Sequence, residues 1–83
     1  MNKILVEVYV PVAQRSFDVY IPLASAIAEI LLLLVNSINE LTVGLYMASS
    51  NSILCDRETG SILDVNISVY ESGLCNGSKL ILI

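Results

Sequence analysis

The 83-residue chain contains no histidine, so it lacks both the most frequent general base of enzymes and the commonest transition-metal ligand. Its two cysteines, Cys55 and Cys75, are fewer thiolates than an iron–sulfur cluster takes. With no export signal in the sequence they read as reduced thiols of a cytosolic protein and not as a disulfide framework. A redox role for an exposed thiol finds no C-x-x-C pair or nearby cation cluster to support it. Charge is scarce, at 14% of residues, and four Lys and Arg against eight Asp and Glu leave a net charge of −4. The basic residues Lys3, Arg15, Arg57 and Lys79 are scattered, and a phosphate backbone would meet net repulsion, which argues against nucleic acid as a partner.

What the chain has in excess is apolar character, with 55% hydrophobic residues and a mean hydropathy of +0.77. A membrane span needs about 18 consecutive apolar residues. Asp18, Glu29, Glu40 and Asp56 interrupt every such window, and the longest gap, residues 41–55, carries Thr42, Ser49, Ser50, Asn51 and Ser52. No span is expected. Residues 3–10 alternate in polarity and do not form the basic-then-apolar pattern of a secretory signal, so the expected location is the cytoplasm. A chain of this length suffices for one core, and residues 1–83 are expected to form a single domain.

Residues 3–10, KILVEVYV, place Ile4, Val6, Val8 and Val10 on one face and Lys3, Leu5, Glu7 and Tyr9 on the other, the period-two pattern of a half-buried strand. Pro11 ends it, residues 11–15 read as a turn, and residues 16–21 as a second strand in which Phe17, Val19 and Ile21 alternate with Ser16, Asp18 and Tyr20. After Pro22, Ser25 has the chemistry of a helix N-cap. Ile27, Ile30, Leu31, Leu34, Ile38 and Leu41 follow at helical spacing, with Leu32 and Leu33 expected to be partly covered at the flanks of the stripe.

The periodicity lapses over residues 42–52, a loop in which Leu45 and Tyr46 are candidate anchors. A third strand is expected over 52–55. The turn residues Asp56-Arg57-Glu58-Thr59-Gly60 then lead to a short partner strand at Ile62-Leu63. Residues 68–73 read as a helical turn, Asn76-Gly77 as a tight turn, and residues 79–83 as the last strand. If the first and last strands pair in parallel at the centre and the helix covers one face, all the apolar stripes meet. The predicted fold is therefore α+β, a β-grasp: a mixed sheet of four to five strands with one helix packed on one face.

The second half, SILCDRETGSILDVNISVYESGLCNGSKLILI, resembles that of a ubiquitin-like domain, and ILVEVYVPVAQRSFDVYIP resembles its first hairpin. The elements that carry the resemblance are Leu63 with Asp64, Ser68-Val69-x-Glu71, Gly73-Leu74, and Gly77-Ser78 followed by Leu80 and Leu82. The early Pro11, Leu54-Cys55-Asp56 and Asn76-Gly77 resemble the small bacterial EsaB/YukD proteins. That resemblance implies a non-catalytic, cytoplasmic accessory of type VII secretion, partnered by cytoplasmic parts of a membrane-bound secretion machine. It implies no cofactor and no metal.

Conjugated ubiquitin-like modifiers and sulfur carriers need a flexible tail ending in Gly-Gly. This sequence ends at Ile83, within the last predicted strand, so those readings require a natural chain that continues. Asp56 and Glu58 could pair as acid and base, but flanking a turn with Arg57 between them they read as solvated charges. Ser68 and Ser72 have no candidate base, and Cys75, following an inward Leu74, is expected to face water.

With the helix on the face of Ile4, Val6, Val8, Phe17, Val19, Leu80 and Leu82, the opposite face is expected to show Leu5, Glu7, Tyr9, Asp18, Tyr20, Leu54, Lys79, Ile81 and Ile83. Its apolar members, Leu5, Tyr9, Tyr20, Leu54, Ile81 and Ile83, are the candidate protein-binding residues, for a partner protein or for a homodimer through this face. The competing reading is a self-associating structural module whose aliphatic residues serve strand propensity.

Overall fold

A computed structural model describes residues 2–41 and 52–83. Its elements are β1 (Lys3–Val10), β2 (Arg15–Pro22), α1 (Ile27–Leu41), β3 (Leu54–Asp56) and β4 (Lys79–Leu82). Alternation in β1 buries Ile4, Val6, Val8 and Val10 and leaves Leu5, Glu7 and Tyr9 half-covered on the other face. β1 and β2 form an antiparallel hairpin registered from Lys3 opposite Pro22 to Val10 opposite Arg15.

The sheet order is β2-β1-β4-β3, with β1 and β4 parallel at the centre, as the terminal apolar stripes predict. The parallel register sets Glu7 beside Lys79, Val8 beside Leu80 and Tyr9 beside Ile81. The Asn76-Gly77 turn extends this pairing beyond β4. Gly77, at φ +88°, adopts a backbone that side chains disfavour. Its N–H donates to the Leu5 carbonyl, while Asn76 Oδ1 accepts from the Leu5 N–H, both at 2.8 Å.

Two expectations about strands and caps are corrected. Ile62-Leu63 forms no strand among the described residues: Cys55 and Ile62 make a single bridge, the Leu63 N–H reaches the Leu54 carbonyl at 2.9 Å, and the Asp64 carboxylate turns the chain by accepting from the Asn66 N–H. The sheet therefore has four strands.

Ser25 is not the N-cap. The Ala26 carbonyl accepts the first helical bond from Ile30, and the Glu29 carboxylate reaches back to the Ala26 N–H at 3.1 Å. The N–H groups of Ile27 and Ala28 donate to the carbonyls of Ile67 and Val65, so the free donors of the helix start are satisfied by a later segment of the chain.

From α1, Ile27, Ile30, Leu34, Val35 and Ile38 are buried against the inner sheet face, joined by Ile21, Leu54, Val69, Leu74, Leu80 and Leu82 in one core. A helix laid on a sheet buries one stripe, and Leu32 and Leu33 fall outside it. They are 63% and 58% exposed, not partly covered as the sequence suggested. The expected anchors Leu45 and Tyr46 lie outside the described residues. No described helix is long and apolar enough to cross a membrane.

Residues 68–73 form the expected turn, held by a reciprocal capping box. The Ser68 N–H donates to Glu71 Oε1 at 3.0 Å, and the Glu71 N–H donates to Ser68 Oγ at 3.1 Å. Because this turn follows the segment that caps α1, Ser68→Ala is expected to cost about 1 kcal/mol, lowering Tm by roughly 4–8 °C in calorimetry. Glu71→Gln, which keeps an acceptor, should leave Tm nearly unchanged.

Candidate protein interface

The face of the sheet turned away from α1 is built from alternate residues of each strand, so its layout follows from register. Tyr20 of β2 lies opposite Leu5 of β1, Asp18 opposite Glu7, and Ser16 opposite Tyr9. Across the parallel pair Glu7 lies beside Lys79 and Tyr9 beside Ile81, while β3 sets Cys55 opposite Ile81. Ile53 and Ile83 exchange two backbone hydrogen bonds of 3.0 Å beyond the ends of β3 and β4.

Leu54 does not belong to this face. It pairs with Leu82, so both point inward, and Leu54 is 2% exposed within the core. A one-residue offset in β3 exchanges faces, and the outer positions go instead to Ile53 and Cys55. Cys55 is buried there, and Cys75 is exposed as expected.

The remaining candidates do not form one patch. Tyr9, Ile81 and Ile83 meet at one end of the sheet, where Ile53 joins them at its margin and Ile62 adjoins through its bridge to Cys55. Ile83 and Ile62 are 58% and 65% exposed. Leu5 and exposed Tyr20 lie at the other end, separated from this corner by the row of Asp18, Glu7 and Lys79. Arg57 closes that row next to β3, its N–H donating to the Lys79 carbonyl at 2.8 Å.

The Arg57 guanidinium lies 5.1 Å from the centre of the Tyr9 ring and 3.2 Å from Glu7 Oε2. An exposed pair of this kind is worth about 0–1 kcal/mol. It brings an aromatic ring and two opposite charges together over the outer face. In the sequence Arg57 stands in a solvated turn, and no local pattern signals that it reaches Tyr9.

The groups considered for chemistry have structural occupations. Asp56 Oδ1 accepts from the N–H groups of Glu58 and Thr59, stabilising the turn that Gly60 completes at φ +76°. Ser72 Oγ donates to the Val69 carbonyl. Among the described residues there is no group of three His, Cys, Asp or Glu side chains placed to hold a metal ion.

A ubiquitin-like β-grasp domain is what this strand order, helix placement and outer face define. The solved structures it resembles include ubiquitin-like domains of type VII secretion proteins. The ubiquitin-like domain of Mycobacterium tuberculosis type VII secretion system protein ECCD1 superposes with a TM-score of 0.78 at 17% identity, covering 100% of this chain and 99% of that one. The EccD5 ubiquitin-like domain from Mycobacterium xenopi gives 0.84 at 19% identity, over 100% and 94%. A chain of the MycP5-free ESX-5 inner membrane complex gives 0.84 at 16% identity, where this chain spans 21% of that longer one. No protein-family model and no curated protein matches the sequence.

The division between core and outer face separates in effect two substitutions on paired strands, one register position apart. Leu54→Ala is expected to lose about 2–5 kcal/mol by opening a cavity, whereas Ile81→Ala on the half-covered outer face should lose less than about 1.5 kcal/mol. Chemical denaturation of the two variants checks the assignment.

Proposed function

We propose that this chain is a non-catalytic protein-binding module that works in the cytoplasm beside a type VII secretion machine, in the manner of EsaB/YukD proteins. Its contact surface is the corner formed by Tyr9, Ile81 and Ile83, with Ile53 and Ile62 at its border. The observation that carries this reading is the exposure of Ile62 and Ile83 at the β3–β4 edge, where Ile62 bridges to Cys55 and Ile83 pairs with Ile53. Clustered exposed aliphatic side chains mark interaction sites, and a neighbouring aromatic held by Arg57 supplies the kind of anchor that interfaces favour.

The assignment to secretion is supported by the likeness to the ubiquitin-like domains of ECCD1 and EccD5 and to part of a chain of an ESX-5 inner membrane complex. The fold alone serves many functions, so the surface and the experiment carry the argument.

The test is a titration of the purified protein against cytosolic domains of a type VII secretion inner-membrane complex. Ile81→Asp combined with Ile83→Asp is expected to weaken binding roughly 10-fold to 100-fold, the loss of one or two interface anchors. The far-UV circular dichroism should stay unchanged. No binding by the native chain, or equal binding by the double variant, would overturn the proposal.

A further inference from the structure

The charged row that divides the outer face has an order of signs. Following the sheet from β2 to β3, it reads Asp18, Glu7, Lys79, Arg57: two acids on one half and two bases on the other. Within the described residues only Glu7 and Arg57 form an ion pair, at 3.2 Å; Asp18 outside that pair and Lys79 between its members have no opposite charge within 4.0 Å.

From this order we infer that the outer face receives a second copy of the same chain. The two copies stack face to face about a two-fold axis that runs parallel to the strands between β1 and β4. This rests on the protein-binding reading of that face and names one partner for it.

The geometry follows from the symmetry of such a dimer, in which the same surface is used by both subunits. An axis along the strands exchanges the left and right halves of the sheet and keeps each row facing itself. Glu7 of one copy then meets Lys79 of the other, and Asp18 meets Arg57, so every charge of the row faces one of opposite sign. In the adjacent row the same operation sets Tyr9 against Ile81 of the second copy, twice.

A two-fold axis across the strands would instead bring Asp18 against Asp18 and Lys79 against Lys79, which like-charge repulsion disfavours. The charge row thus selects one stacking, while the two Tyr9–Ile81 contacts add apolar attraction. The net charge of −4 per chain opposes association at long range, but the four residues of the row sum to zero, and salt screens the remainder beyond about 8 Å.

Sedimentation velocity over a concentration series is the test. The native chain is expected to move from monomer to dimer, and Glu7→Lys and Lys79→Glu, each alone, are expected to sediment as monomers. An equimolar mixture of the two variants should regain the dimer, because each new charge meets its complement on the other chain. A mixture of Lys79→Glu with Glu40→Lys, which matches the net charges, should show only the homodimer that Glu40→Lys, whose row is native, forms alone, with Lys79→Glu left monomeric.

A native chain that stays monomeric, single variants that dimerise normally, or a Glu7→Lys and Lys79→Glu mixture that does not recover would each overturn the inference. None of these outcomes would sink the secretion-machine reading, whose variants, Ile81→Asp and Ile83→Asp, change no residue of the charged row.

Discussion

The parallel pairing of β1 with β4 is the constraint on which the rest of the structure depends. It joins strands more than sixty residues apart along the chain at the centre of the sheet, registered Glu7 to Lys79 through Tyr9 to Ile81. Every inward residue of that pair, Val8 and Leu80 among them, becomes core, and every outward one is delivered to the opposite surface. Parallel strands cannot be joined by a tight turn, so the intervening chain must cross over, and here it does so with α1 covering the inner face. The Asn76 side chain and the Gly77 backbone fasten the start of this pairing to Leu5.

From that pairing the two faces acquire different properties. The inner face is apolar, aliphatic apart from Phe17 near its edge, and covered by α1. The outer face mixes an apolar corner with an ordered row of charges, and its one internal ion pair contributes position more than stability. α1 exposes a second apolar feature, Leu32 and Leu33, of which Leu33 lines a cavity with Val19, Tyr20 and Ile21 at the β2 edge of the sheet, the edge away from Ile81 and Ile83.

Much of this was legible in the sequence because the long elements repeat their pattern. Eight residues of strict alternation in β1 and the stripe from Ile27 through Ile38 in α1 leave little ambiguity about which side is buried. The third strand is different. Ile53, Leu54 and Cys55 are all apolar, and a three-residue strand has no period to read, so only its pairing with Leu82 and Ile81 reveals that Leu54 points inward. The helix start was equally hidden, since its acceptors are the carbonyls of Val65 and Ile67, which any sequence would supply. Arg57 looked like an ordinary turn residue because its partners, Tyr9 and Glu7, belong to a distant strand.

The central claim is that the sheet face opposite α1 is the working surface of a protein-binding module. The most direct measurement is a two-dimensional amide NMR titration of the isotopically labelled chain with cytosolic domains of a type VII secretion inner-membrane complex. The account predicts that the perturbed residues cluster at Tyr9, Ile81, Ile83, Ile53 and Ile62. Perturbations confined to Leu32, Leu33 and their helical neighbours, with the outer sheet face silent, would contradict it.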